Sequence, residues 1–214
     1  VTEDALREAV VRTAREMSTR GLSRGTSGNV SARIGDRMLV TPSALAYQGM
    51  DVRDIVLVDL EGRVVEGERR PTTEWPLHAA IYRTRPDVGA IVHAHAVFCA
   101  TLSTLRRGIP AFHYMIALAG GDSIRCARYA GFGSPALAAH AVAALEGRHA
   151  CLLANHGMVA LGACPDGALE LAQEVETLAE LYWRALQVGE PVLLTAAEVE
   201  EALERFALRG PRAE

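Results

Sequence analysis

The stretch that most limits what this chain can fold into is Val88-Gly89-Ala90-Ile91-Val92-His93-Ala94-His95-Ala96. Its apolar half is too short and too β-branched for a helix, and it reads as a strand buried on both faces. Side chains at i and i+2 of a strand point to one face, so His93 and His95 face the same way. Two neutral imidazoles side by side can grip a divalent metal. A lone histidine there would more often be a hydrogen-bonded core residue; a pair favours the metal, provided further ligands come from elsewhere.

Composition removes several classes of chemistry. The chain holds 214 residues, enough for one domain with a full core, and 50% of them are hydrophobic. A net charge of -4 gives no reason to expect nucleic acid or an anionic membrane as partner. The opening residues Thr2-Glu3-Asp4 start an amphipathic segment rather than a leader, and no apolar run is long enough to span a bilayer. Cys99, Cys126, Cys151 and Cys164 lack metal or redox spacing and read as reduced, mostly buried thiols of a cytoplasmic protein. There is no lysine, which excludes a lysine Schiff base, lysine-held pyridoxal phosphate and a P-loop. Asparagine occurs only at Asn29 and Asn155, which marks both positions for a specific task.

The pattern along the chain alternates helices and strands without a strict βαβ rhythm. An amphipathic helix over Asp4–Arg20 precedes a glycine-rich loop, Gly21 to Asn29, and a hairpin of Val30–Ile34 with Met38–Thr41. A second hairpin is expected from Ile55–Val58 and Val64–Val65. A helix bearing Trp75, His78, Ile81 and Tyr82 on one face follows, with Thr72 or Thr73 as its N-cap. The His-x-His strand leads to a helix from Val97 to about Arg106, and Phe112–Ile116 reads as extended. Mixed strand and loop fill Ala119–Gly133. Ser134-Pro135 opens a helix to Leu145, and Ala150–Ala154 is a strand delivering Asn155-His156-Gly157. Met158–Leu161 continues extended. The longest helix spans Asp166–Val188, and Thr195-x-x-Glu198 is a capping box for a last helix ending before Gly210. Two hairpins and irregular alternation predict an α/β domain around a mixed, largely antiparallel sheet rather than a Rossmann fold.

Further ligands are found where elements end. His156 follows an apolar strand, and Glu74 sits at a helix start after a Pro-Thr-Thr loop. Three imidazoles and one carboxylate would complete a tetrahedral zinc shell. His78 lies one helical turn from Glu74 and is an alternative partner for it. His113, His140 and His149 read as loop, helix-face and turn residues.

Several runs together resemble one family. These are Gly25-Thr26-Ser27-Gly28-Asn29-Val30-Ser31, Thr72-Thr73-Glu74-Trp75, His93-x-His95, Ile109 to Ala117 through His113-Tyr114-Met115, and Asn155-His156-Gly157. In that order, across most of the chain, they are similar to the class II aldolase/adducin family, above all to its branch acting on L-fuculose 1-phosphate. The resemblance implies a single three-layer domain over residues 1–214. It also implies a zinc enzyme that cleaves a ketose 1-phosphate into dihydroxyacetone phosphate and an aldehyde, L-lactaldehyde for fuculose. A homotetramer with active sites at subunit interfaces belongs to the same expectation.

By that resemblance His93, His95 and His156 match metal ligands, Glu74 matches a ligand that is also the base, and Tyr114 matches a proton donor at the aldehyde oxygen. Gly28, Asn29, Ser43, Ala44, Thr72 and Thr73 match the phosphate loops. This chain departs from the family pattern there. The family has Thr-Gly in place of Ser43-Ala44, and a serine pair in place of Thr72-Thr73. The hydroxyls persist, whereas an alanine would strain a loop that prefers glycine. Two other implied roles are a ribulose-5-phosphate 4-epimerase, whose loop carries Asp where Glu74 stands, and an adducin-like interaction module, which is expected to lose metal ligands.

Overall fold

A computed structural model describes residues 2–208, so the tail from Arg209, with the expected helix stop at Gly210 and the ends of the 1–214 domain span, lies outside the described residues. The strands are short, and three of the pairings are closed by tight turns. Asn29–Ile34 (β1) and Arg37–Val40 (β2) form the first hairpin, and Val56–Asp59 (β3) and Val64–Glu66 (β4) the second. Ala90–Ala94 (β5), Ile109–Pro110 (β6), Ser123–Ala127 (β7), Ala150–Leu153 (β8) and Gly157–Gly162 (β9) complete one sheet in the order β4-β3-β2-β1-β5-β9-β8-β7-β6. Of these pairings only β7 with β8 is parallel. The mixed, largely antiparallel sheet is therefore as the sequence pattern predicts.

The sheet separates two cores. One face packs against Glu3–Thr19 (α1), Val97–Thr104 (α3), Pro165–Val188 (α5) and Ala196–Leu208 (α6), through Val92 and Ala94 of β5 among others. The other packs against Trp75–Thr84 (α2) and Pro135–Ala144 (α4), through Ile91 of β5. Alternation along a strand that is covered on both sides explains the unbroken apolar run before His93. Caps follow the sequence closely: Ser134 accepts from the Leu137 N–H, and Thr195 and Glu198 cap each other reciprocally.

Three local expectations are corrected. Phe112–Ile116 is not extended: Tyr114–Ala119 is a 3₁₀ helix, opened by the His113 ring accepting from the Met115 N–H and closed by Gly120 in the left-handed region. This side-chain cap and glycine stop outweigh the extended propensity of the run. The N-cap position of α2 falls to Glu74, not to a threonine, although the Thr72 hydroxyl accepts from the Glu74 N–H at 3.3 Å. Helix α3 stops at Thr104, because Arg106 turns to φ 52°. The cysteines are all free thiols, with Cys99 and Cys151 buried, Cys126 half-buried and Cys164 exposed. Among the described residues no helix is long and apolar enough to cross a membrane.

Helix α3 begins two residues beyond His95 and has no cap of its own, since Ala96 stands at the N-cap. Glu176 of α5 supplies one, its two oxygens accepting from the Phe98 and Cys99 N–H groups at 2.8 and 2.9 Å. A carboxylate at a helix N-terminus satisfies orphan donors and complements the helix dipole. Replacing Glu176 with Ala is expected to lower unfolding free energy by about 1–2 kcal/mol, the range for a lost cap, read from urea denaturation.

Candidate metal centre and cleft

Antiparallel pairing places the site. Asn29 opens β1 directly opposite His93, and His93 in turn faces Val159 of β9. His95 follows two residues later on the same side. The β8–β9 turn is only Ala154-Asn155-His156, and it closes because Asn155 adopts φ 56°, a conformation asparagine tolerates better than most residues. The backbone N–H of His156 is held by Leu153 O and the Ser103 hydroxyl. The hairpin tip thereby aims His156 at the end of β5.

Glu74, His93, His95 and His156 each offer a donor atom, all within 4.8 Å of one another. The imidazoles stand edge to face around a common centre, with ring centroids 4.8 to 5.0 Å apart. His93 Nε2 lies 3.2 Å from His95 Nε2 and 3.0 Å from Glu74 Oε2. The other nitrogen of His93 donates to Met158 O at 2.9 Å, which fixes the tautomer and turns a lone pair inward. Glu74 Oε1 is buried without a hydrogen-bond partner; His156 Nε2 is 3.6 Å away, too far to donate well. A buried carboxylate with one orphaned oxygen, set beside three converging imidazoles, is the chemistry of a cation site, and this donor set fits a divalent metal.

Electrostatics set His93, paired with Glu74, apart from the other two imidazoles. Burial alone pushes the Glu74 carboxyl up, but the facing His93 charge and hydrogen bond outweigh it and hold the group well below the usual carboxylate range. Burial lowers His93 while Glu74 raises it, with a net upward shift. Burial, helped by the His93 charge, pushes His95 and His156 down to about 4, so both are neutral and able to ligate near pH 7.

The cluster opens into a cleft of about 490 Å³. All of Gly28, Asn29, Ser43, Ala44, Thr72 and Thr73 line it, as do Glu74, His95 and His156. Gly28 sits at φ 78° with its α-carbon so close to β5 that an added Cβ would lie 2.6 Å from His93 O, so only glycine fits. The Tyr47 hydroxyl, buried and donating to Ser27 O and Gly28 O, holds this loop down. Ala44 does adopt a left-handed conformation, at φ 59°.

Tyr114 is the exception among the expected site residues. It lies outside this cleft, half exposed and stacked on Phe206 of α6. His78 is not among the four donors either; it is fully buried and bonded to Asn29 and Ser31. Sequence reasoning passed over Tyr129 and Phe132, exposed aromatics on the cleft rim, although Phe132 set between Gly131 and Gly133 was a visible sign of a loop carrying an aromatic side chain into solvent. Asn155, marked by its rarity, also lines the cleft and accepts from Arg106.

With the fold and this centre described, comparison with known proteins is decisive at the level of family. Residues 8–183 match the family Class II Aldolase and Adducin N-terminal domain, and the chain belongs to it. It is 51% identical to the 5-methylthioribulose-1-phosphate/5-deoxyribulose-1-phosphate aldolase of Rhodospirillum rubrum, over 98% of this chain and 95% of that protein. It is 46% identical to an L-fuculose phosphate aldolase of Escherichia coli, over 98% and 97% of the two chains. A solved L-fuculose 1-phosphate aldolase superimposes with a TM-score of 0.93 at 40% identity, covering 97% of this chain and 98% of its own. The protein is thus a class II aldolase by family, and a lyase.

Ala44 is exposed, so a smaller side chain there leaves no cavity. Ala44→Gly is expected to raise unfolding free energy by about 1 kcal/mol by relieving the left-handed backbone, measured as an increased denaturation midpoint.

Proposed function

We propose that this chain is a zinc-dependent aldolase that cleaves a ketose 1-phosphate into dihydroxyacetone phosphate and an aldehyde. Residues 1–214 act as one domain, in the cytoplasm. Glu74, His93, His95 and His156 are its zinc ligands. The observation that carries this reading is the buried Glu74 carboxylate, its Oε1 orphaned, clustered with three imidazoles at the foot of a cleft rimmed by small hydroxyl and glycine residues. With no lysine in the chain, the charge released by carbon–carbon cleavage has no iminium to enter. Zinc bound here supplies a Lewis acid for the charge developing on the ketone oxygen.

The residues of the chain divide the remaining work. Gly28, Asn29, Ser43, Ala44, Thr72 and Thr73 hold the phosphate through backbone N–H groups and hydroxyls. Glu74 moves a proton at the carbon next to the ketone, protonating it after cleavage and removing it in the reverse direction. Tyr114 handles the proton of the aldehyde oxygen. Because Tyr114 is exposed and outside its own chain's cleft, it serves the cleft of a neighbouring subunit in a homotetramer. Four retained donors argue against an adducin-like module without metal.

The rim aromatics Tyr129 and Phe132 suit an aldehyde with an apolar end. L-Fuculose 1-phosphate ends in a methyl group, and so does 5-deoxyribulose 1-phosphate; 5-methylthioribulose 1-phosphate ends in a methylthio group. The higher of the two identities favours the pentulose pair as a second reading beside fuculose. The test is a panel of these three with ribulose 5-phosphate as control, before and after chelation. Metal-dependent release of dihydroxyacetone phosphate from at least one is expected, with its preferred ketose naming the substrate. Cleavage that survives complete metal removal overturns the zinc mechanism, and isomerisation of ribulose 5-phosphate without cleavage points to an epimerase.

A second experiment isolates the base. Glu74→Gln keeps shape and a ligand oxygen but removes basicity. Exchange of the hydroxymethyl proton of dihydroxyacetone phosphate with solvent deuterium, followed by NMR without aldehyde, is expected to fall by roughly 10²–10⁴ in zinc-loaded protein. Normal exchange in that sample places the base elsewhere.

A further inference from the structure

Four hydrogen bonds run in series through the smaller core and end on Glu74. The Tyr82 and Ser31 hydroxyls are 2.8 Å apart, and Ser31 Oγ is 2.6 Å from His78 Nδ1. His78 Nε2 is 2.5 Å from Asn29 Oδ1, and Asn29 Nδ2 is 3.0 Å from Glu74 Oε2. All five side chains are buried. They come from two elements only, α2 with its N-cap and the face of β1 that α2 covers.

The direction of every bond is determined by its last member. An ionised carboxylate only accepts, so Asn29 must turn its NH₂ to Glu74. That leaves Asn29 Oδ1 toward His78, which must then carry its proton on Nε2. A neutral ring protonated there has a lone pair on Nδ1, which accepts from the Ser31 hydroxyl, and Ser31 oxygen accepts from Tyr82. A flipped Asn29 amide would set a carbonyl oxygen against a buried carboxylate, a repulsive contact that no tautomer of His78 relieves.

We propose that His78 is a positioning residue which acts on Glu74 through Asn29. Its Nε2–H locks the Asn29 amide, and Asn29 anchors Glu74 Oε2, the oxygen 3.0 Å from His93 Nε2, which leaves Oε1 without a hydrogen-bond partner on the side of His156. His78 is therefore neither a metal ligand nor the base. The inference rests on the role given to Glu74 above.

Two substitutions separate the lock from mere filling of space. Glutamine carries an amide nitrogen about where Nε2 stands and can still donate to Asn29. Asparagine is polar too, but its amide reaches only as far as Nδ1. In zinc-saturated protein, His78→Asn is expected to lower kcat for ketose 1-phosphate cleavage, and deuterium exchange into dihydroxyacetone phosphate, by about 10–100-fold with KM little changed. His78→Gln is expected to stay within about threefold of the parent. Independently of activity, ¹⁵N-histidine NMR of the parent protein is expected to show His78 protonated on Nε2 alone.

An Nδ1–H tautomer, an Asn variant as active as the parent, or Gln and Asn variants equally impaired would each overturn the proposal. If neither variant folds, the tautomer decides. A parent protein that exchanges no proton of dihydroxyacetone phosphate refutes instead the role of Glu74, and leaves the tautomer measurement standing as the test of the lock.

Discussion

The register between β1, β5 and β9 is the constraint on which everything else depends. Pairing Asn29 with His93, and His93 with Val159, sets three strands so that their polar ends meet at one edge of the sheet, on the face covered by α2. A slip of one residue in β5 would turn His93 into the opposite core and bring Val92 to the site. The apolar run before His93 prevents that slip, because Ile91 and Val92 are matched to different cores on opposite faces. Hydrophobic burial of its neighbours thus fixes the orientation of the His93 imidazole.

Much of this was legible in the sequence because it is written in local periodicity. A strand followed by His-x-His, a strand end bearing His156 and a helix start bearing Glu74 each follow from a few neighbouring residues, and the structure brings all four together. The left-handed backbone at Ala44 was foreshadowed only by the resemblance, whose pattern has glycine at that position. What was hidden is non-local. His78 shows only a helix-face spacing, yet its two partners lie 47 and 49 positions away on a strand, and nothing in the spacing announces them. The 3₁₀ turn at Tyr114 was missed for a different reason: a histidine ring acting as a cap overrides the extended preference of an aromatic and β-branched run.

Placement of the site on the thinner side of the molecule has energetic meaning. Buried polar side chains occur on both sides, with Arg7 and Thr13 on α1 and Ser103 on α3, but on the α2 side Tyr82, Ser31, His78, Asn29 and Glu74 are linked into one continuous series. Such groups stabilise a structure only when each finds its partner, and an unmatched one costs about 1–3 kcal/mol. The α2 side therefore gives specificity of arrangement, while the α5 side, with Glu176 fastening the helix after His95, gives cohesion.

That division determines where the cleft can breathe. Sliding α2 along β1 by a single turn would break every link from Tyr82 to Glu74 together, so the helix and strand move as one rigid plate. The opposite wall has no such seam. It is a loop of aromatic side chains spaced by glycines, touching the plate where Gly133 comes so near Thr73 that an added Cβ would lie 2.7 Å from its carbonyl oxygen. A ligand entering the cleft meets one wall that is cast and one that is hung on a glycine pivot. For the aldehydes proposed above, differences in length would be met by the aromatic loop, away from the wall that holds Glu74.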